Sequence, residues 1–282
     1  MRKITDKVIT DMVAGLVAKA AFDLRIDVLH ALQDAKKREK NRRAVKTLDV
    51  ITENARVAKR RRVPLCQDTG MTVVYCEVGA GIDLRGLALE RAIQNGIKKA
   101  TRSAGLRHSI VRSPLQRVNT RTNTPGIVHF KSVPGRSIVL KVLLKGFGCE
   151  NKGAVRLFNP TASREEVVDF IVKSIVDAGA NACPPFVVGV GIGGTLDKAC
   201  ELSKEVLFRK ITTKNKVVYL AAMERAIEKR VNASGVGPLG FGGKTTALKV
   251  LIAQFPTHIA GLPVAVNINC HSLRTAIARV MV

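Results

Sequence analysis

The sequence contains no tryptophan and only two tyrosines, and aromatic residues make up 4% of its 282 residues. Single-stranded nucleic acid is commonly bound by stacking its bases on aromatic side chains, so this chain offers few such platforms. No run of about 18 apolar residues occurs, which excludes a predicted membrane-spanning helix. Asp11, Asp23 and Asp27 interrupt the apolar residues near the start, so no secretory signal is predicted. Six cysteines are too few for a disulfide scaffold, and we expect a reducing, cytoplasmic location.

Acidic residues are also scarce, since 22 aspartates and glutamates face 47 lysines and arginines, giving a net charge of +25. The basic residues concentrate in "KKREKNRR" (36–43) and "RVAKRRR" (56–62), tracts that are typical of exposed helix ends and loops. Three interpretations of this charge stay open. It can be a solvated surface, a nucleic-acid-binding surface, or a surface that attracts an acidic partner or substrate.

The apolar pattern predicts helices that alternate with strands, which is typical of an α/β protein with mixed helices and sheets. Helices are predicted at 8–32, 43–58, 88–100, 163–179, from 195 onward, and 216–230. Strands are predicted at 71–78, 126–131, 136–145, 186–195 and 263–270. Ser163 and Glu166 form a capping-box pattern, and Gly179 is a typical helix stop. Because no internal repeat or low-complexity linker is evident, we expect a single domain over residues 1–282.

Two glycine-rich segments resemble nucleotide-binding loops. "GVGIGG" (189–194) satisfies the dinucleotide pattern after a predicted strand, but no acidic residue ends a following strand about 20 residues later. "GPLGFGGKTT" (237–246) fails the phosphate-loop register, because Pro238 stands where that pattern requires glycine and has no N–H to donate. A less specific interpretation of both segments is a site for an anion such as a carboxylate or phosphate, which Lys244 and Thr245 of the second loop would contact.

The cysteines fall into two sets. Cys76 and Cys200 lie within a predicted strand and helix, as buried small hydrophobic residues do. Cys66, Cys183 and Cys270 each stand at a predicted turn, where a thiolate can face a cleft. No closely spaced pair typical of zinc or ferredoxin sites occurs. From spacing alone, the three turn cysteines are either unrelated or brought together by the fold.

Five segments, taken in order, carry a resemblance to a known family. They are "PLCQDTG" (64–70), "KGFGCENKG" (145–153), "NACPPFVVGVGIGGT" (181–195), "GPLGFGGKTTA" (237–247) and "HIAGLPVAVNINCH" (258–271). Together they resemble the α subunit of class I, iron–sulfur fumarate hydratases and of the related L-tartrate dehydratase, over nearly the whole chain. The resemblance implies the cluster-binding α domain of this family, a [4Fe–4S] hydro-lyase fold.

The resemblance also implies roles for particular residues. Cys66, Cys183 and Cys270 would hold the [4Fe–4S] cluster and leave one iron without a protein ligand, open to act as a Lewis acid. Asp68 would be the catalytic residue that transfers a proton to or from the leaving oxygen. From the motif alone, the simpler interpretation is that the Asp68 side chain only stabilises a turn or caps a helix. The expected substrate contacts are Gln67, Asp68, Arg107, Gly146, Gly148 and Lys244.

The sequence departs from the family pattern at three positions of the expected pocket. His108 stands where proline is usual, Phe147 replaces glycine, and Cys149 replaces serine. These differences concern the shape of the pocket, and they leave a role for Cys149 as a further cluster ligand open. Arg102 and Arg112 lie close enough in sequence to Arg107 to be alternative carboxylate clamps.

The resemblance further predicts partners. Single-chain relatives carry a second domain that completes the site, whereas this sequence ends at Val282, so we expect a separate β subunit in a heterotetramer or larger assembly. An acidic β subunit would complement the positive charge. The expected reaction is the reversible hydration of fumarate to (S)-malate, with a small dicarboxylate as substrate. The alternative is the dehydration of L(+)-tartrate to oxaloacetate. More remote alternatives are a basic nucleic-acid-binding protein and a non-catalytic iron sensor.

Overall fold

The computed structural model describes residues 4–281, and its contacts divide the chain into two compact units. The first unit consists of Met1–Leu24, Ala55–Phe147 and Arg274–Val282, and the second of Arg25–Asn54 and Gly148–Leu273. Each unit has its own four-stranded sheet and its own apolar core. The protein therefore has the predicted α/β class, with mixed helices and sheets, while the prediction of one domain over 1–282 stays a prediction.

The elements follow one another along the chain with few long irregular segments. The helices are α1 (Asp6–Phe22), α2 (Ile26–Arg38), α3 (Arg42–Arg61), α4 (Leu89–Ser103), α5 (Phe147–Glu150), α6 (Arg164–Ala178), α7 (Leu196–Glu205) and α8 (Val218–Ala233). The strands are β1 (Met71–Gly79), β2 (Ile127–Val133), β3 (Ser137–Lys145), β4 (Ala154–Phe158), β5 (Phe186–Gly193), β6 (Ala247–Phe255), β7 (Leu262–Asn269) and β8 (Thr275–Met281). None of the helices in residues 4–281 is both long and apolar enough to cross a bilayer.

In the first unit, α1 and α4 pack on a sheet with the strand order β2-β1-β3-β8. β1 is parallel to β2 and antiparallel to β3, which in turn is antiparallel to β8. Gly96 permits close approach of the two helices, because a Cβ at this position would lie 2.6 Å from Cβ of Val13. Fully buried aliphatic side chains such as Ile93, Ile138 and Leu140 fill the layer between helices and sheet, at about 2 kcal/mol each.

In the second unit, the sheet has the strand order β4-β7-β5-β6, and α6 and α8 contribute to its core. Helix α7 packs directly on β5. The glycines of "GVGIGG" make this packing possible, because a Cβ at Gly189 or Gly191 would lie about 2 Å from the carbonyl oxygen of Ser203 or Ala199. This helix–strand approach accounts for two glycines of the dinucleotide-like pattern without any nucleotide.

The predicted elements differ from the structure in two ways: one predicted helix is interrupted, and three strands were not predicted. The helix predicted at 8–32 is two helices, because Asp23 takes an extended backbone that ends α1, and α2 begins at Ile26 with Arg25 as its N-cap residue. The short strand β4 and the strands β6 and β8 were not predicted. In β8 the apolar Ile277 and Met281 face solvent, which obscures the period of two. The capping box of Ser163 and Glu166 is confirmed at the start of α6.

Candidate active site

The segment "PLCQDTG" forms the loop between α3 and β1. The amide of Leu65 donates to the carbonyl of Ala21 (2.8 Å), and the buried Leu65 side chain anchors this end of the loop. At the other end Gly70 has φ +74°, and a Cβ there would lie 2.3 Å from the carbonyl oxygen of Lys145. Only glycine fits both requirements. The loop thus lies directly against the end of β3, with Cys66 half-buried between its two anchors.

Asp68 joins this loop to the segment that follows β3. Its Oδ1 accepts the N–H of Gly70 (2.9 Å), which closes a short side-chain turn, and its Oδ2 accepts the N–H of Phe147 (2.8 Å). The turn role that the motif alone suggests for Asp68 is therefore present. Each carboxylate oxygen has a further lone pair, so these bonds leave capacity for another donor. The carboxylate is also close to Gly146, since a Cβ there would lie 3.1 Å from Oδ2.

Arg274 supports the same loop and was not predicted from the sequence. It lies just before β8, is 3% exposed, and donates from Nη1 to the carbonyls of Asp68 (2.5 Å) and Thr69 (3.4 Å). Its Nη2 is so close to Gly146 that a Cβ there would lie 3.0 Å away. Its buried Nε has no hydrogen-bond partner within residues 4–281. A cation in the apolar run "LRTAIA" is the signal that could have identified it.

Gln67 and Arg107, both predicted to contact substrate, lie together. Nη1 of Arg107 donates to Oε1 of Gln67 (2.9 Å), and both side chains are exposed. The backbone of Arg107 is held by the buried Asn123, whose Nδ2 donates to the Arg107 carbonyl (2.9 Å) and whose Oδ1 accepts the N–H of Ser109 (2.6 Å). The first unit thus brings together four of the predicted site residues: Gln67, Asp68, Arg107 and Gly146.

Cys183 and Cys270 lie at adjoining turns of the second unit. Cys183 follows a single 3₁₀ turn, has φ +55°, and is exposed, whereas Cys270 follows β7 and is half-buried. The ring Nδ1 of His271 is 3.1 Å from the carbonyl oxygen of Cys183, within hydrogen-bonding distance. The glycine-rich segment also reaches this turn, because the N–H of Leu239 donates to the carbonyl of Pro184 (2.8 Å).

The other cysteines have different surroundings. Burial raises the pKa of Cys76 to about 12, and burial also raises the pKa of Cys200. Cys149 is buried in the second core and its thiol donates to the carbonyl of Ala182 (3.3 Å). Cys76 and Cys149 are thus buried, as predicted for Cys76, whereas Cys200 is only half-buried on α7. These environments favour protonated thiols at Cys76 and Cys200 over the thiolates that bind iron.

The donor chemistry of the remaining cysteines fits an iron–sulfur cluster. All three are thiols at turns, and none of them is buried. Two of them, Cys183 and Cys270, belong to the second unit and Cys66 to the first. In residues 4–281, no group of three or more histidine, cysteine, aspartate or glutamate side chains is arranged to hold a metal ion. The ligand set therefore stays a prediction.

Lys244 and Gly148, the last two predicted contacts, belong to the second unit. Gly148 is exposed in α5. Lys244 donates its backbone N–H to Oε2 of Glu39 (2.6 Å), and its side chain lines a basic cavity of about 800 Å³. In a phosphate loop this backbone N–H would donate to the nucleotide, whereas here it donates to the Glu39 carboxylate. This is a second argument against a nucleotide-binding loop at 237–246.

Comparisons with known proteins give the family. The profile described as "Fumarate hydratase (Fumerase)" matches residues 10–279. A putative L(+)-tartrate dehydratase subunit alpha of Methanocaldococcus jannaschii is 38% identical over 278 residues, covering 96% of this chain and 97% of that protein. An L(+)-tartrate dehydratase subunit alpha of Escherichia coli (strain UTI89 / UPEC) is 30% identical, covering 96% and 90%.

The chain therefore belongs to the fumarate hydratase family, in agreement with the resemblance read from its five segments. It is accordingly an enzyme of the hydro-lyase class, which removes or adds water at a carbon–oxygen bond.

Proposed function

We propose that this chain is the α subunit of an iron–sulfur hydro-lyase that reversibly hydrates fumarate to (S)-malate. The observation that best supports the proposal is the convergence of Gln67, Asp68, Arg107 and Gly146 within one unit. These are residues that the family resemblance assigns to a dicarboxylate substrate. They combine a guanidinium fork, an amide and a carboxylate next to a backbone turn.

The chain's own residues would divide the work as follows. The exposed fork of Arg107 binds one substrate carboxylate through two parallel N–H donors, and its bond to Gln67 fixes the direction in which the fork points. Neutralising that carboxylate makes the proton on the adjacent carbon easier to remove. The amide of Gln67 has N–H groups left to donate to a substrate oxygen. Lys244 and Gly148 stay predicted contacts of the second unit.

Asp68 is the proposed proton-transfer residue. Both of its oxygens accept a backbone N–H, so the carboxylate cannot rotate freely, and its remaining lone pairs can receive a proton from water or a hydroxyl. Arg274 is a positioning residue in this scheme, because its Nη1 donates hydrogen bonds to the backbone carbonyls of Asp68 and Thr69 and so fixes the loop that carries Asp68.

We propose that Cys66, Cys183 and Cys270 hold a [4Fe–4S] cluster. When bound, it would supply an open iron that polarises the substrate hydroxyl as a Lewis acid. The thiol chemistry and the exposure of these residues support this ligand set, and the neighbouring turns of Cys183 and Cys270 support two of its members. Cys149 is not included, because its thiol is buried and already bonded to Ala182.

We further propose a β subunit, without which the chain would not turn over substrate. The relatives named above are called "subunit alpha", which supports assembly of this chain with a second kind of subunit. A heterotetramer or larger complex is the expected form. The cytoplasmic location stays a prediction from the sparse cysteines.

L(+)-tartrate is the second candidate substrate, and the names of the relatives favour it. Tartrate differs from malate by one hydroxyl group. A site that hydrogen-bonds this hydroxyl would discriminate strongly between the two substrates. The reaction class and the roles proposed for Asp68 and Arg107 are the same for both.

The test is anaerobic co-expression with the candidate β subunit, followed by assays of fumarate hydration and L-tartrate dehydration. Preferred turnover of fumarate would support the leading proposal, and preferred turnover of tartrate would change the substrate. R107K should lose at least about tenfold in kcat/KM, because lysine cannot form the bidentate pair. R102K, an exposed arginine at the end of α4, is the matched control and should keep full activity. Equal activities of R107K and R102K would contradict the clamp role.

A further inference from the structure

The second unit contains a basic cavity in which Lys244 is joined by three further cations to which the proposed reaction assigns no role. It has a volume of about 800 Å³ and lies between the end of α2, the segment that follows it, α8 and the start of β6. Four cations line it: Lys37, Arg38, Lys40 and Lys244. The lining contains one carboxylate, that of Glu228. None of the three predicted cluster cysteines is among its lining residues.

The positive charge of this cavity is only partly compensated. Glu228 is engaged by Nζ of Lys249 (2.7 Å) and by the N–H of Val250 (3.0 Å), and Lys37 pairs with Asp34 (3.0 Å). In the part of the chain that the structure describes, the other three lining cations, Arg38, Lys40 and Lys244, form no salt bridge. Asp34 and Glu39 nevertheless lie close enough to Arg38 and Lys244, respectively, to attract their charges. A cleft lined mainly by positive side chains focuses their electrostatic field and raises the local concentration of anions.

The helix dipole explains only part of this arrangement. Cations in the last turn of a helix are stabilised by its negative end, and this accounts for Lys37 and Arg38 at the end of α2. Lys40 lies beyond the helix, and Lys244 comes from a segment 205 residues distant from Glu39 in sequence. Their convergence on the same cavity has no such local cause.

Glu39 holds the two sides of the cavity together. It is 8% exposed, its Oε1 accepts the N–H groups of Lys40 (2.9 Å) and Asn41 (3.0 Å), and its Oε2 accepts the N–H of Lys244 (2.6 Å). Three backbone donors thus share its negative charge. The backbones of Lys40 and Lys244 are fixed before any ligand arrives, which lowers the entropic cost of binding.

We propose that this cavity binds a compact polyanion, a small molecule that carries several phosphate or carboxylate groups. Its volume lies within the range of about 300–1,000 Å³ that is usual for small-molecule sites. Recognition would come from lysine and arginine side chains, since Glu39 takes the backbone N–H of Lys244. The binding is therefore predicted to weaken steeply with salt, as expected for ion pairs at an open site.

The test is calorimetric titration of the full 282-residue chain at low salt with three probes: adenosine triphosphate, citrate and inorganic phosphate. The first two carry clustered charges and should bind more tightly than phosphate. A preference between them identifies phosphate or carboxylate as the recognised group, and either supports the proposal. Raising the salt to about 0.5 M should abolish the signal. No saturable binding of any probe at low salt would overturn it.

Paired variants make the test specific. R38S/K40S should weaken binding about tenfold or more, because it removes two of the unpaired cations at about 1 kcal/mol each. K210S/K214S removes two exposed lysines that do not line the cavity, so binding should stay within about twofold. Since all four side chains are exposed, both variants should keep the native melting temperature.

A further variant separates the cavity from the proposed substrate site, which also attracts carboxylates. R107A should leave citrate binding unchanged if the cavity is the site. Loss of citrate binding in R107A, or equal binding by R38S/K40S and the wild type, would contradict the proposal. Because the readout is binding rather than turnover, the result does not depend on whether the proposed reaction is correct.

Discussion

Substitution of Gly70 by alanine tests the close packing of the site loop on the end of β3. Gly70 has φ +74°, and an added Cβ would lie 2.3 Å from the oxygen and 2.5 Å from the carbon of the Lys145 carbonyl. A backbone carbonyl cannot rotate away as a side chain can. Alanine at a left-handed position costs about 1–2 kcal/mol by itself, and forced overpacking adds about 1–3 kcal/mol. We therefore expect G70A to lower the free energy of unfolding by about 2–5 kcal/mol.

Gly86 offers a matched control for this prediction. It has the same φ of +74° in the same unit, and a Cβ there would meet nothing within 4 Å. G86A should therefore show only the conformational part of the loss, about 1–2 kcal/mol. Urea unfolding of the two variants beside the wild type measures the difference. Equal losses for G70A and G86A would refute the claim that the loop lies in contact with Lys145.

Three further predictions follow from the structure. R274K keeps the buried charge but loses the planar fork, so urea unfolding should show a loss of about 1–3 kcal/mol in the free energy of unfolding. The control R279K, at an exposed position of β8, should lose less than about 0.5 kcal/mol, and equal losses would contradict the positioning role. Iodoacetamide should modify the exposed Cys183 in the native, cluster-free chain and should not modify Cys76, because burial raises the pKa of the Cys76 thiol to about 12. Mass spectrometry identifies the modified residues, and modification of Cys76 before Cys183 would contradict the burial described for the two thiols. Hydrogen bonds from the backbone and side chain of the N-cap residue Ser163 hold the pKa of Glu166 below its ordinary value. The stabilisation that Glu166 gives the folded state is therefore complete above the ordinary pKa of a glutamate, and it is lost as the pH falls through the lowered pKa of the folded state. The stability advantage of the wild type over E166Q should shrink over that interval, and a difference independent of pH would contradict the assignment.

Local patterns were sufficient to predict much of the fold and part of the site. The capping box at Ser163, the strand after the "PLCQDTG" turn and the buried strand β5 each depend on residues close in sequence. The closing turn of Asp68 on Gly70 is of the same kind. These features are local, so a single sequence contains the information needed to predict them.

The remaining features depend on contacts between distant segments. Arg274 lies 206 residues from Asp68, and its place beside that loop follows from the pairing of β8 with β3. The break between α1 and α2 was missed because the apolar period continues across Asp23 and Arg25, although α1 belongs to the first unit and α2 to the second. The cavity around Lys244 was likewise not predicted, because Glu39 binds across a long sequence separation.

The central claim is that three cysteines from distant segments hold one iron–sulfur cluster. The most direct test is iron and sulfide analysis of the anaerobically purified complex with the β subunit. We predict about four irons per αβ pair in the wild type and in C200S, and a substantial loss in C66S, C183S and C270S. Full iron content in any one of those three variants, or an equal loss in C200S, would contradict the ligand set.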